Sequence, residues 1–215
     1  MSSLEHLSQH HGSFEDFRDA MVSSTDGRFN EIWWGIWAQY ITPIQPQSIL
    51  DLGTGPALFL PKLRSRHPNA KITGVEVQPV MLETARAVCQ SCNAKLIESD
   101  LAYPLPIADQ SHDVITAVMV LHELLFPPTM LSESARILKP GGRMIVYDWV
   151  KRPLSAYLGD AELTEDKLNH FREHCLYAAD DVVFLAKKAG LTAIEYIGRR
   201  SGNFAIFVFE KQESE

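Results

Sequence analysis

Apolar residues along the chain fall into two spacings, and their order outlines a fold. Short, mostly apolar runs stand at Ile49 and Leu50 and at residues 71–75, 94–97, 114–120 and 144–148, as expected of strands buried on both faces of a parallel sheet. Between them the spacing lengthens to that of helices, one starting at Pro56 and one spanning residues 79–92. Upstream, residues 13–42 read as helical with a break near residues 24–27. Trp33, Trp37 and Tyr40 recur there at i, i+4 and i+7, so they share one face. Downstream, the pattern predicts a helix over residues 165–176 and a last helix from Asp180 and Asp181 to Ala189, closed by Gly190. Residues 191–197 and 203–209 then alternate as two strands, joined by a hairpin through residues 198–202. Strands alternating with helices predict an α/β sheet.

The most specific stretch is residues 48–63, SILDLGTGPALFLPKL. A strand ends in Asp51, the chain turns through Gly53-Thr54-Gly55, and Pro56 suits the first position of a helix, where its missing N–H has no partner to lose. Two glycines let the backbone bend sharply and leave a flat surface on which a ligand can meet main-chain N–H groups. A dinucleotide fingerprint would need a third glycine, but that position is Leu58, and no P-loop lysine follows the turn. Glu76 ends the second strand about 20 residues beyond the turn, where an acid can accept both hydroxyl protons of a ribose.

The run Asp51-x-Gly53-x-Gly55 resembles motif I of the class I S-adenosylmethionine-dependent methyltransferases, with Ala57 where that motif often carries a third small residue. Further pieces of the same resemblance follow in order. Residues 105–113, LPIADQSHD, are similar to the family's LPF-x-D-x-SFD run, with His112 in place of an aromatic residue. Leu121-His122-Glu123-Leu124 resembles the L-H-H or L-H-E after strand four, and residues 133–143 resemble E-x-x-R-V-L-K-P-G-G before strand five, whose Pro-Gly-Gly is turn chemistry. Together these pieces cover residues 48–150, and their order is more specific than any one of them.

The resemblance implies a Rossmann-like, seven-stranded, mostly parallel sheet with helices on both faces and an antiparallel last strand. It implies S-adenosylmethionine as cofactor, held by Asp51, Gly53, Thr54, Gly55, Glu76, Val77, Asp100, Leu101, Ala117 and Val118. It places a small-molecule acceptor beside Trp33, Trp37, Tyr147 and Trp149, with Phe29 near them. His122, Asp148 and His170 are the candidate bases, needed only where the acceptor must lose a proton. Trp33 and Trp37 also have a plainer reading as residues packed on the sheet, and His122 as an orienting residue bonded to backbone. Two other functions stay open: a non-catalytic S-adenosylmethionine sensor or partner subunit, and an NAD-dependent oxidoreductase, against which Leu58 weighs.

At 215 residues the chain suits one domain. Its expected parts are an N-terminal helical cap (1–45), a cofactor-binding core (46–148), a lid insertion (149–180) and a closing helix with hairpin (181–215). The formal charge of −7 argues against a nucleic-acid surface. Three cysteines agree with a reducing compartment, and no early apolar run suggests a leader or a membrane span, so the expected location is the cytoplasm. No metal is expected: His170 and His174 lie four apart with Cys175 adjacent but lack a third ligand, and Cys89 and Cys92 read as structural. Residues 1–12 and 212–215 are expected to fray.

Overall fold

The computed structural model describes residues 3–10, 13–174 and 176–212. In chain order the elements are α1 (Ser3–His10), α2 (Phe14–Arg28), α3 (Glu31–Tyr40), β1 (Ser48–Leu52), α4 (Leu60–Arg66), β2 (Lys71–Glu76), α5 (Pro79–Ser91), β3 (Lys95–Glu98), β4 (His112–Val118), α6 (Pro127–Ile137) and β5 (Leu138–Trp149). The chain continues with α7 (Leu154–Leu158), α8 (Glu165–His174), α9 (Ala179–Lys188), β6 (Leu191–Arg199) and β7 (Phe204–Lys211). The seven strands form one sheet in the order β3-β2-β1-β4-β5-β7-β6. β1 to β5 pair in parallel, and β7 runs antiparallel between β5 and β6. This is the expected Rossmann-like α/β architecture.

Two apolar cores cover the two faces. Ile49, Ile72, Val114, Ile145 and Val208 meet α3, α4 and α5 through Trp33, Trp37, Leu60, Leu63 and Ala85. Leu50, Ile115, Met144, Phe207 and Phe209 meet α6 and α9 through Met130, Leu131, Val182 and Ala186. The period-2 side-chain alternation thus feeds both layers at once, so β1, β4 and β5 carry apolar residues at successive positions. Among the described residues, no helix is long and apolar enough to cross a membrane.

Several local expectations are corrected. The N-terminal helical region breaks at Phe29 and Asn30 rather than at residues 24–27, because the Asn30 side chain accepts the N–H groups of Ile32 and Trp33 and caps α3. The helix after the glycine turn begins at Leu60 instead of Pro56, since Ala57 takes a left-handed conformation at φ +62° that a helix cannot continue. The segment Pro140-Gly141-Gly142 lies inside β5, where the register with β4 shifts and a Cβ on Gly142 would stand 2.8 Å from the Lys139 carbonyl. The helix α6, opened by Pro127 and Pro128, has no counterpart in the periodicity reading. Residues 3–10 form α1, where fraying was expected, while the expectation for 1, 2, 11, 12 and 213–215 lies outside the described residues.

Candidate functional site

The carboxyl ends of β1, β2 and β4 open into a cleft of about 970 Å³, roofed by α1 and α2. The glycine turn forms its floor. Gly53 and Gly55 hold φ of +61° and +57°, and a Cβ at Gly53 would overlap the Cγ2 of Val120, so both conformation and space require glycine there. Met119, also at the floor, is held at φ +59° while its N–H donates to the Tyr147 carbonyl at 2.7 Å. Such a left-handed non-glycine residue at a cleft is strain that the surrounding pairing maintains.

Two acids stand beside the turn. Asp51, at the end of β1, is buried and accepts the Thr116 hydroxyl at 2.6 Å; burial pushes its pKa up to about 6 against that bond. Glu76, at the end of β2, is also buried. Its carboxylate accepts N–H groups from Gly55 (2.8 Å), Val77 (2.8 Å) and Gln78 (2.9 Å), which ties the two loops together; burial raises its pKa and the three donors oppose the rise. One polar atom of a lining residue, Arg28 Nε, is buried without a hydrogen-bond partner, whereas the Thr54 hydroxyl bonds to Asp51. The rest of the Arg28 guanidinium is anchored on its own helix, its Nη2 donating to the Met21 carbonyl at 2.6 Å. Buried orphans of this kind mark where a ligand's polar groups belong.

A second acidic group lies across the cleft. Asp148, with no exposed surface, accepts the N–H groups of Val120 (3.0 Å), Leu121 (2.7 Å) and Trp149 (2.8 Å), and its Oδ1 lies 2.5 Å from His122 Nδ1. The other ring nitrogen of His122 lies 3.2 Å from Glu123 Oε1. Burial pulls the imidazole's pKa down, but the Asp148 and Glu123 carboxylates push it up to about 10. At neutral pH the ring is therefore an imidazolium with both nitrogens engaged. Glu123, not His122, reaches the cleft.

Of the residues expected at the cofactor, Asp51, Gly53, Thr54, Gly55, Glu76, Val77, Leu101 and Val118 line this cleft. Asp100 is not among the lining residues; its Oδ1 accepts the Ala102 N–H at 2.9 Å, and Ser99 faces the cleft instead. Ala117 is buried in β4 beside Val118. Trp33 and Trp37, 1% and 2% exposed, are core residues and do not line the cleft. Their face packs around Phe59, and the Trp37 indole donates to His67 Nε2 at 2.9 Å. Tyr147 is buried between Trp33 and Phe204. Trp149 lines a second depression, and the His170 ring packs on it with centroids 5.2 Å apart; neither residue lines the cleft. Cys89 and Cys92 are buried free thiols; Cys175 and the His174 side chain lie outside the described residues.

The residues missed by sequence reasoning come mainly from the roof: Leu7, Phe17, Met21, Thr25 and Arg28. No motif announces them, because they reach the cleft only through the docking of α1 and α2. Glu123 and Gln78 were within reach, since each adjoins a residue already singled out. Gln78 caps α5 by accepting the N–H groups of Val80 and Met81.

A mostly parallel sheet whose glycine turn and strand-end acids frame a cleft at its carboxyl edge defines a nucleoside-binding α/β protein. A family model described as a methyltransferase domain matches residues 50–146, the strands and turns that build this cleft. Over that segment the chain is similar to the class I S-adenosylmethionine-dependent methyltransferases. It is 32% identical over 114 residues to a demethylmenaquinone methyltransferase of Thermus thermophilus, covering 52% of this chain and 51% of that one. It is 30% identical over 142 residues to a ubiquinone/menaquinone biosynthesis C-methyltransferase of Paracoccus denitrificans, covering 63% and 56%. The chain spans about half the length of the curated relatives it matches. Among solved structures, an S-adenosylmethionine-dependent methyltransferase of Thermotoga maritima superposes with a TM-score of 0.64 at 18% identity, over 93% of this chain and 96% of that one. One from Aquifex aeolicus does so with a TM-score of 0.58 at 22% identity, over 76% and 81%.

Proposed function

We propose that this protein transfers a methyl group from S-adenosylmethionine to a small-molecule acceptor. The observation that carries the reading is the acid-flanked glycine turn with the orphaned Arg28 Nε beside it. These residues fit the cofactor. Asp51 would take its ammonium group, Glu76 its ribose hydroxyls, and Ser99 with Leu101 would border its base. Gly53 and Gly55 leave the flat surface it needs, and the buried Arg28 Nε suits its carboxylate. When bound, S-adenosylmethionine supplies an activated methyl on a sulfonium. A pyrophosphate would instead meet the Asp51 and Glu76 carboxylates and the Leu58 side chain, which disfavours a dinucleotide.

The chain's own residues then exclude water, align the acceptor and, where the acceptor must lose a proton, receive it. Orientation supplies most of the acceleration in such a transfer. The proton-accepting role falls to Glu123, because the His122 imidazolium has no lone pair to offer. His122 and Asp148 hold that carboxylate at the cleft. His170 packs on Trp149 and Tyr157 and does not line the cleft. The quinone relatives make a ring carbon or oxygen a reasonable acceptor atom.

The test is transfer of label from S-adenosylmethionine carrying a labelled methyl group, with purified protein and a cell extract. Label should enter small molecules with the intact protein and not with Gly53→Arg. Glu123→Gln should lower turnover about a hundredfold or more while leaving cofactor affinity nearly unchanged. No calorimetric binding of S-adenosylmethionine would overturn the reading; binding without transfer to any acceptor would leave only a sensor.

A further inference from the structure

A second depression of about 570 Å³ opens beside the end of β5, between β5, α7, α8 and the turn from β6 to β7. Its walls contrast with those of the cofactor cleft. Trp149, Tyr157 and Phe204 supply aromatic surface, with Trp149 and Phe204 ring centroids 3.8 Å apart. Lys167 and Arg200 supply positive charge, and none of the lining residues is acidic. The Arg200 guanidinium sits 5.0 Å above the Phe204 ring, on a backbone held at φ +46°. Asn203 Oδ1, on the same wall, is buried and has no hydrogen-bond partner, so it lacks a donor. Its own backbone is fixed, since its carbonyl accepts the Val150 N–H at 3.1 Å.

We propose that this depression seats the acceptor, and that the acceptor is a planar aromatic molecule carrying an anionic group and a hydroxyl or N–H. This rests on the methyl-transfer reading above. The aromatic walls match a flat ring, Arg200 and Lys167 match the anion, and Asn203 Oδ1 accepts from the donor. The position suits delivery to the cofactor. Trp149 directly follows Asp148, which accepts the N–H of the cleft residue Val120 at 3.0 Å, and Tyr147, whose carbonyl accepts the N–H of the cleft residue Met119 at 2.7 Å, packs on Phe204. The cationic cofactor thus meets acids and the anionic acceptor meets bases, which keeps each ligand out of the other's seat.

The experiment is a titration of the full chain, loaded with S-adenosylmethionine, by 4-hydroxybenzoate as probe, read by tryptophan fluorescence and calorimetry. Saturable quenching is expected, weakening with salt. Methyl 4-hydroxybenzoate, which lacks the charge, and cyclohexanecarboxylate, which lacks the flat ring, should each bind about tenfold more weakly or worse. Arg200→Gln should weaken the probe about as much, without altering cofactor binding. Absence of saturable binding at millimolar probe, equal binding by Arg200→Gln, or quenching that survives Trp149→Phe would overturn the inference. If S-adenosylmethionine binds while the probe does not, this inference alone fails; if S-adenosylmethionine does not bind, the methyl-transfer reading fails with it.

Discussion

Two acidic groups face each other across the cleft, and they are buried by opposite means. Asp51 and Glu76, at the ends of β1 and β2, are satisfied by neutral donors: the hydroxyls of Thr116 and Thr54 and three backbone N–H groups. Asp148 and Glu123, at the end of β5 and after β4, close on an imidazolium. A buried carboxylate with only neutral donors keeps an unfavourable charge, so its proton is held to higher pH and its negative field is available to a cation. A carboxylate paired with a fixed cation has already spent that field. The first group is therefore suited to a ligand, whereas in the second Asp148 holds the architecture and only Glu123 faces the cleft.

The largest effect should come from breaking the second group. Asp148→Leu strands the imidazolium and three N–H groups, and should cost about 3–5 kcal/mol in denaturant unfolding. Next is the pH dependence that the same pair creates. His122 has a folded pKa near 10 against an ordinary 6.5, so the native state keeps a proton that the unfolded chain releases between those values. Stability should thus be full below pH 6.5 and fall as pH rises toward 10. His122→Gln should flatten that fall in thermal scans across the same range.

The first group should behave in reverse. Asp51→Asn should lose about 1.5–3 kcal/mol of S-adenosylmethionine binding in calorimetry, yet leave unfolding stability unchanged or improved at neutral pH, where the native carboxylate is buried and ionised. The wild-type Asp51 pKa is raised from 3.8 to about 6, so folding stability declines as pH rises through that window, while affinity for a cation climbs. In the asparagine variant both trends should vanish. The smallest effect belongs to Thr116→Val, which removes one hydroxyl donor from Asp51. It should weaken binding by about 1 kcal/mol and move the pH midpoint of cofactor binding upward. A variant of either group that showed the other's signature would erase the distinction.

The first group was more legible in the sequence than the second. Gly53, Gly55, Asp51 and Glu76 act through backbone geometry at strand ends, and such positions leave spacings that survive as motifs. His122 and Asp148 could each be singled out, but 26 residues separate them, and only the pairing of β4 with β5 brings them together. That contact engages His122 Nδ1 only in the folded sheet, so spacing alone could not show it. Trp33 and Trp37 were read correctly as sharing a face, yet periodicity cannot tell a face that packs on the sheet from one that roofs a ligand. Arg28 and Met21 left no trace, because their role depends on where α2 docks. The break expected near residues 24–27 falls instead at Phe29 and Asn30, because the Asn30 cap, which no periodicity marks, sets the boundary.

The roof over the cleft has a consequence for timing. Leu7 of α1 and Phe17, Met21, Thr25 and Arg28 of α2 all border the space that a ligand would fill. A molecule that fills the cleft packs against these helices, so its release depends on how readily they shift. Exchange rates should then level off as ligand concentration increases, with the plateau reporting the opening of the roof rather than collision in solution.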